Sequence, residues 1–246
     1  MIIFHKLKKF KVIVIIPAFN EVKAIKKTLV GLEEISKLCS FGLKIIVVDD
    51  GSSDGTAGVA SQVKGVKVIR LKTNMGPGEA IKRGILAAIK VAGEDDVVIT
   101  MEADNTSDPA LIFQMVNKLS QGADVVCASR QIAGGSYQDF PFFRLVFSLF
   151  ANGILRILFP IKQITDYTIF FRGYKAKILK RLCKNDLVIS SGFVGNAEIL
   201  IKMRNWRIIF DEVPLVYRYK NRLGKSRMKV KTNLFEYLRF LFSIRQ

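Results

Sequence analysis

Two acidic side chains stand one residue apart at the point where an apolar segment ends. Residues 97 to 101 are apolar except for Thr100, and Glu102 and Asp104 follow them directly. Side chains two positions apart in an extended chain point the same way, so both carboxylates can face one ligand. Such oxygen ligands suit a divalent cation, either Mg²⁺ or Mn²⁺, which in turn binds the diphosphate of a nucleotide. The alternative is a solvated turn whose acids cap the next helix.

Two further apolar segments end in polar or aromatic residues in the same manner. Residues 44 to 48 lead into Asp49 and Asp50 and then into a turn rich in glycine and serine. Residues 12 to 16 lead into a segment that contains Pro17, Phe19 and Glu21. Open α/β sheets bind their ligands at the carboxyl ends of the strands. These three segments therefore predict one shared site, in which Asp50 accepts hydrogen bonds from a base or a ribose.

Alternating strands and helices must position these segments. The apolar runs predict strands at residues 12–16, 44–48, 66–71, 97–101 and 124–128. Helical patterns lie between them, at residues 21–38 and 109–119 and in a segment that ends near residue 91. Regular alternation of strand and helix predicts an α/β fold with a mostly parallel sheet flanked by helices on both faces.

The pattern changes after residue 129. Residues 140 to 161 are rich in aromatic side chains and predict two short amphipathic helices, which lie either in a membrane interface or under the sheet as core helices. Residues 166–171 and 207–213 predict further strands, and residues 232–246 predict a C-terminal amphipathic helix. No uninterrupted run of 18 apolar residues is present, and no leader pattern opens the chain. We therefore expect no transmembrane segment and no signal peptide.

Composition restricts the function. Among 246 residues, 39 are Lys or Arg and 21 are Asp or Glu, and the net charge of +18 favours polyanionic ligands. His5 is the only histidine, which argues against a histidine base or a Ser-His-Asp triad. The three cysteines lack metal-binding spacing and fit a reducing compartment. No linker divides the chain, so residues 1–246 are expected to form a single domain.

Six short motifs follow one another in a set order along the chain. They are residues 14–21, 47–56, 101–104, 129–135, 166–172 and 212–214 with 222–227. In residues and order they resemble the motifs of family 2 inverting glycosyltransferases with the GT-A (Rossmann-like) fold. The more similar group within that family is the dolichol-phosphate (polyprenyl-phosphate) mannose synthases. The resemblance implies a nucleotide-sugar-binding half at residues 11–130 and an acceptor-binding half at residues 131–231.

The resemblance also implies a role for each matching position. Nucleoside contacts are expected from Pro17, Phe19, Glu21, Val48 and Asp50. The metal and diphosphate site is expected to contain Glu102, Ala103, Asp104 and Thr106. Arg130 and Arg144 are expected to bind the acceptor phosphate, and Arg222 and Arg227 to close over the donor phosphates. The expected catalytic residues are therefore Asp104 and Arg130.

Some of these positions depart from the family pattern. Glu102 stands where Asp is usual, and Thr106 stands where Gln is usual as a third metal contact. Ile169 and Phe170 replace Ser and Gly, and Arg227 replaces Lys. These departures bear on the preferred metal and on the identity of the sugar. They also leave open an inactive relative with a weakened metal site.

The reaction implied by the resemblance transfers a hexose, above all mannose from GDP-mannose, to a polyprenyl or dolichyl phosphate. A phosphate monoester has a second pKa of about 6, so at neutral pH it is a nucleophile that needs no basic side chain. The implied partners are a nucleotide sugar, the lipid phosphate, an anionic membrane surface at the cytoplasmic face and a separate membrane subunit. Nucleic acid is not among them.

Other functions stay open at this point. One is a glycosyltransferase that uses UDP-glucose. Another adds sugar to a glycan or a protein, and its neutral hydroxyl acceptor needs a carboxylate base, for which Asp166 is the candidate. A non-enzymatic protein that binds nucleic acid or membrane would rest on the positive charge alone. The chain has no helix-turn-helix, zinc-finger or RNA-recognition signature to support that function.

Overall fold

The structure, a computed structural model, describes residues 10–185, 187, 189–224, 235–237 and 239–240. The strands of the described residues are β1 (Lys11–Ala18), β2 (Gly42–Asp49), β3 (Val66–Arg70), β4 (Val97–Thr100), β5 (Val125–Ser129), β6 (Ser136–Gln138), β7 (Arg172–Lys175), β8 (Phe210–Pro214) and β9 (Val216–Arg218). The helices are α1 (Val22–Leu38), α2 (Thr56–Ser61), α3 (Pro77–Ile89), α4 (Leu111–Ser120), α5 (Phe142–Leu158), α6 (Ala176–Lys184) and α7 (Val194–Met203).

Seven of these strands form the central sheet, in the order β3-β2-β1-β4-β7-β5-β8. All neighbours in it are parallel except β7, which runs antiparallel to both β4 and β5. The short strands β6 and β9 pair with each other in a separate two-stranded sheet. The prediction of a mostly parallel sheet flanked by helices is thus confirmed.

The central strand β1 explains why its sequence is apolar without interruption. Its side chains alternate between two hydrophobic clusters, with Ile13 and Ile15 in one and Val12, Val14 and Ile16 in the other. Helices α3, α6 and α7 contribute to the first cluster, and α1 and α4 contribute to the second. Because both faces of the sheet are covered there, the positions from Val12 to Ile16 are all apolar.

The aromatic segment at residues 140–161 forms one helix, α5, and the prediction of two short helices is wrong. Pro141 precedes the helix and Pro160 follows it, so neither proline interrupts its hydrogen bonds. Asn152 lies in its middle but is fully buried, and its amide oxygen accepts a hydrogen bond from the N–H of Tyr167 at 2.7 Å. A buried polar side chain in the middle of this helix is therefore satisfied by a segment outside the helix.

The predicted strand at residues 166–171 is also wrong, because the chain joins the sheet only at Arg172. The N–H of Asp166 donates to the side chain of Glu212 at 3.0 Å, and the N–H of Tyr167 donates to Asn152. These backbone N–H groups donate to side chains and are therefore not available for hydrogen bonds with a neighbouring strand. The predicted strand at residues 207–213 is β8, which begins three residues later.

The C-terminal helix predicted at residues 232–246 lies mostly outside the described residues. Residues 235–237 and 239–240 are helical, and Tyr237 and Phe240 are buried. Among the residues that the structure describes, no helix is both long enough and apolar enough to cross a membrane.

Candidate active site

The carboxyl ends of β1, β2 and β4 open into one cavity of about 520 Å³. The register of the sheet explains this, because Ala18 pairs with Asp49 across β1 and β2, and Ile15 pairs with Thr100 across β1 and β4. The segments that leave these neighbouring strands therefore line a single cleft. The residues that they contribute to the cavity wall are Pro17, Phe19, Glu21, Asp50, Glu102, Ala103 and Asp104.

Asp50 anchors a loop beside the cavity. Its carboxylate accepts hydrogen bonds from the N–H groups of Met75 at 2.7 Å and Gly76 at 2.9 Å. Gly76 has a φ of +93°, and a Cβ atom there would lie 2.5 Å from the carbonyl oxygen of Ser191. Burial raises the pKa of Asp50, and the two backbone hydrogen bonds oppose this shift only in part. Each carboxylate oxygen keeps a second lone pair with which it can accept a hydrogen bond from a ligand.

Glu102 and Asp104 bring two carboxylates into the same wall. Glu102 accepts hydrogen bonds from the Ser107 hydroxyl at 3.2 Å and from the N–H of Phe170 at 3.3 Å. Burial raises the pKa of Glu102 to about 7, and the negative charge of Asp104 adds to the shift. The negative charge of Asp104 therefore opposes ionisation of Glu102, and a bound cation would relieve that repulsion.

These two acids fit a divalent cation that also binds a diphosphate. Within the described part of the chain, no group of three or more His, Cys, Asp or Glu side chains is arranged to hold a metal. Mg²⁺ commonly takes one or two carboxylates from the protein and completes its shell with water and substrate phosphates. Glu102 and Asp104 suit such a site. Thr106 does not line the cavity, and its hydroxyl donates a hydrogen bond to Asp104 instead.

Arg222 joins two of the cavity acids. Its Nη1 donates to Oδ2 of Asp104, and its Nη2 donates to Oε1 of Glu21 at 3.2 Å. Oδ1 of Asp104 accepts from the N–H and the hydroxyl of Thr106. Arg222 follows a single 3-10 turn (Tyr219–Asn221) that comes directly after β9. An arginine from a segment far along the chain thus directly contacts one of the two proposed cation ligands, Asp104.

Arg130 is held in a buried ion pair. Its Nε and Nη2 donate to the two carboxylate oxygens of Asp166 at 2.7 and 2.8 Å, and Nη2 also donates to Thr168 at 2.7 Å. The ring centres of Tyr137 and Tyr217 lie 4.7 and 5.6 Å from the guanidinium carbon. These contacts fix the guanidinium at the cavity wall, where it presents positive charge to a ligand.

Asp166 is the counterion of Arg130, a role that sequence reasoning missed. Burial alone raises the pKa of Asp166, but the Arg130 guanidinium and its hydrogen bonds outweigh burial, so the net shift is downward. A fully buried carboxylate of lowered pKa, with both oxygens bound to an arginine, is a poor proton acceptor. The structure therefore argues against Asp166 as a general base. Its only signal in the sequence was the motif at residues 166–172.

An aromatic cluster forms another part of the wall and was also missed. Phe140 packs edge-on against Tyr137, Tyr217 and Tyr219, with ring centroids 5.3, 5.5 and 5.4 Å apart. Phe140, Tyr217 and Tyr219 line the cavity, and so do Phe147, Phe170, Phe193 and Tyr237. Of these residues, only Phe170 lies in one of the sequence motifs, because the others come from separate segments of the chain. The cavity thus has an apolar portion beside its charged portion.

The structure brings most of the predicted site residues to this cavity. Besides the residues from the strand ends, it is lined by Arg130, Arg144 and Arg222. Val48 is not on the wall, because its side chain lies in the hydrophobic core with Ile15. Arg227 lies outside the described residues.

Comparison with known proteins identifies the family. The family model described as glycosyl transferase family 2 matches residues 13–183, which is more than half of the chain. This chain therefore belongs to glycosyl transferase family 2.

Two relatives and one solved structure extend this result. Dolichol-phosphate mannosyltransferase of Pyrococcus furiosus is 32% identical to this chain, and the match covers 95% of this chain. This chain spans 63% of the length of that relative. Polyprenol monophosphomannose synthase of Mycolicibacterium smegmatis is 29% identical, and the match covers 89% of this chain and 81% of that protein. The crystal structure of glucosyl-3-phosphoglycerate synthase from Mycobacterium tuberculosis with Mn²⁺, UDP and glucosyl-3-phosphoglycerate has a TM-score of 0.66 and 20% identity. That match covers 94% of this chain and 76% of the other, and it supports the fold.

Proposed function

We propose that this protein transfers mannose from GDP-mannose to a polyprenyl phosphate, with inversion at the anomeric carbon. The observation that carries the proposal is that two strand-end carboxylates line the same cavity as Arg130 and Arg144. Membership of family 2 supports sugar transfer from an activated donor. The names of the two relatives, which act on dolichol phosphate or make polyprenol monophosphomannose, support the sugar and the acceptor.

The strand ends hold the donor in this proposal. Asp50 accepts hydrogen bonds from the base or the ribose, and Phe19 offers an apolar face to the base. Glu102 and Asp104 hold Mg²⁺ or Mn²⁺, and this cation, when bound, stabilises the negative charge that develops on the departing diphosphate. Arg222 lies beside the same acids and adds positive charge where the phosphates would bind. None of these residues has to remove a proton.

The acceptor needs positive charge and no base. A phosphate monoester has a second pKa of about 6, so it is largely dianionic at neutral pH. One of its oxygens attacks the anomeric carbon while the bond between that carbon and the diphosphate breaks. Arg130, fixed by Asp166, and Arg144, on α5, neutralise part of the acceptor's charge as it approaches the donor. Guanidinium groups suit this task because they stay charged and donate strong hydrogen bonds to phosphate oxygens.

The donor is tested by thermal unfolding and by transfer. GDP-mannose with Mn²⁺, at about 100 times its Kd, is expected to raise Tm by roughly 5–10 °C, because it binds only the folded protein. Under the same conditions, radiolabelled mannose should move from GDP-mannose to polyprenyl phosphate. UDP-glucose is the matched donor control. Stabilisation and transfer with UDP-glucose, together with none from GDP-mannose, would contradict the proposed donor.

The acceptor lipid places the reaction at a membrane surface, and we propose that α5 contacts it. One face of α5 is buried at Ser148, Ala151 and Leu155, whereas Phe143 and Phe150 on the other side are 83% and 58% exposed. Arg144 of the same helix lines the cavity, so the exposed face lies next to the proposed acceptor site. The net charge of +18 suits an anionic leaflet. The three free cysteines fit the reducing environment of the cytoplasmic face.

Vesicle sedimentation tests this contact. Phe143→Asp is expected to weaken binding to vesicles of phosphatidylglycerol and phosphatidylcholine by about tenfold, because a charge replaces an apolar ring at the interface. The matched control is Leu38→Asp at the end of α1, where an apolar side chain is likewise exposed, at 76%, but lies outside α5. Equal weakening by the two variants would remove α5 from the contact, and binding that does not depend on anionic lipid would contradict the contribution of the positive charge.

A further inference from the structure

Arg222 already holds the carboxylate that a cation would need. Its guanidinium bridges Asp104 and Glu21, and the three side chains are only 13%, 8% and 9% exposed. Charge interactions strengthen as water is excluded, so this bridge is stronger than a pair on the surface. The second oxygen of Asp104 is held by Thr106.

A divalent cation and this arginine compete for one carboxylate. A cation bound to Asp104 would lie within a few ångströms of the guanidinium that contacts the same group. Two positive charges at that separation repel each other strongly in a partly enclosed site. The bridge therefore opposes binding of a cation that arrives without other negative charge.

The guanidinium of Arg222 also has an unused donor. Its Nε is buried and has no hydrogen-bond partner among the residues that the structure describes. Buried donors of this kind call for an explanation, because most are paired in folded proteins. A phosphate oxygen next to the guanidinium would supply the missing acceptor.

A hydrogen bond keeps the backbone of the Arg222 segment beside the Asp104 loop, so release of Asp104 would need only a rotation of the arginine side chain. The Asn105 side chain donates to the carbonyl oxygen of Asn221 at 3.1 Å, which ties the Arg222 segment to the Asp104 loop. Nη2 of Arg222 can stay hydrogen-bonded to Glu21 while Nη1 breaks its hydrogen bond with Asp104. The flexible methylene groups of arginine suffice for this rotation.

We propose that Arg222 is an exchangeable counterion of Asp104, called the latch below. As a result, the divalent cation binds strongly only together with the donor diphosphate. The diphosphate offers Arg222 new acceptors, Arg222 releases Asp104, and the cation gains a free carboxylate oxygen. Cation and diphosphate then strengthen each other's binding by the same factor. This inference rests on the proposed function, because it takes Glu102 and Asp104 as cation ligands and a nucleoside diphosphate as part of the donor.

Binding of Mn²⁺, followed by the electron paramagnetic resonance signal of the free ion, tests the latch without measuring turnover. Arg222→Gln is expected to bind Mn²⁺ alone about tenfold more tightly than the wild type, because the competing charge is gone. GDP is expected to tighten Mn²⁺ binding in both proteins, with a gain about fivefold smaller in the variant. Circular dichroism and the Tm of each protein establish that the variant is folded.

Lys220→Gln is the matched control. It removes one positive charge from the same turn, but Lys220 is 79% exposed and pairs with Asp139 at 2.9 Å. Its affinity for Mn²⁺ should stay within about twofold of the wild type, because exposed charges are screened. If Arg222→Gln binds Mn²⁺ alone no more tightly than the wild type, while the wild type binds Mn²⁺ with GDP, the latch is refuted and the proposed function stands. If the wild type binds no Mn²⁺ even with GDP, both are refuted.

Discussion

Replacing Asp104 by asparagine is expected to lower sugar transfer by about a thousandfold, or about 4 kcal/mol of transition-state stabilisation. The amide has nearly the shape of the carboxylate but lacks its charge. It therefore offers the cation a neutral oxygen in place of a charged one and binds it much more weakly. The measurement is the steady-state rate of mannose transfer from GDP-mannose to polyprenyl phosphate in the presence of Mn²⁺.

Asp108→Asn is the control for this substitution. Asp108 is exposed in the same loop, and its carboxylate accepts a hydrogen bond from the N–H of Ala110 at 2.9 Å. Asparagine can accept the same bond, so the rate should stay within about twofold of the wild type. A rate for Asp104→Asn within tenfold of the wild type would show that this carboxylate is not essential to the reaction.

Replacing Asp166 by alanine is expected to lower the free energy of unfolding by about 3–5 kcal/mol, because it leaves Arg130 buried without its counterion. Asp166 is fully buried, Arg130 is 7% exposed, and the pair is bidentate. The substitution also removes the acceptor for the side chains of Asn152 and Thr168. Urea denaturation followed by circular dichroism measures the loss. A change below about 1 kcal/mol would mean that water reaches the guanidinium and replaces the ion pair.

A double variant separates stability from activity at this pair. Asp166→Leu combined with Arg130→Met removes both charges and fills the volume with apolar groups. Such replacements of buried ion pairs often cost little, so the double variant should recover about 2 kcal/mol or more relative to Asp166→Ala. Transfer to polyprenyl phosphate should nevertheless stay low, because the double variant lacks the Arg130 guanidinium and keeps only that of Arg144 at the proposed acceptor site. Equal instability of the two variants would show that the unpaired charge is not the cause.

The strand ends could be predicted from the sequence because they are a local signal. An apolar run that stops at acids marks a buried strand and its end, whatever the rest of the chain does. Parallel strands then bring their carboxyl ends to one edge by geometry alone. Asp50, Glu102 and Asp104 were predicted to lie together on this basis, and they line one cavity. The excess of positive charge and the single histidine also follow directly from the sequence.

Local periodicity failed where distant side chains satisfied the backbone or a buried polar group. Residues 140–161 were predicted to form two short helices, yet they contain one helix, in whose middle Asn152 accepts a hydrogen bond from the N–H of Tyr167. Residues 166–171 looked like a strand, yet Glu212 binds the N–H of Asp166. A pattern of apolar and polar residues does not reveal which polar group will find a partner, because that depends on the neighbours that the fold supplies.

The sequence by itself determined the α/β alternation, the acids at the strand ends and the excess of positive charge. The tertiary structure alone decided which arginine meets which acid. Arg130 pairs with Asp166, 36 residues away, and Arg222 reaches Glu21 across 201 residues. The strength of a charge pair depends on separation and on exclusion of water, and neither exists until the chain has folded. For that reason, the contact of Arg222 with Asp104 and the ion pair that fixes Arg130 could be identified only in the folded protein.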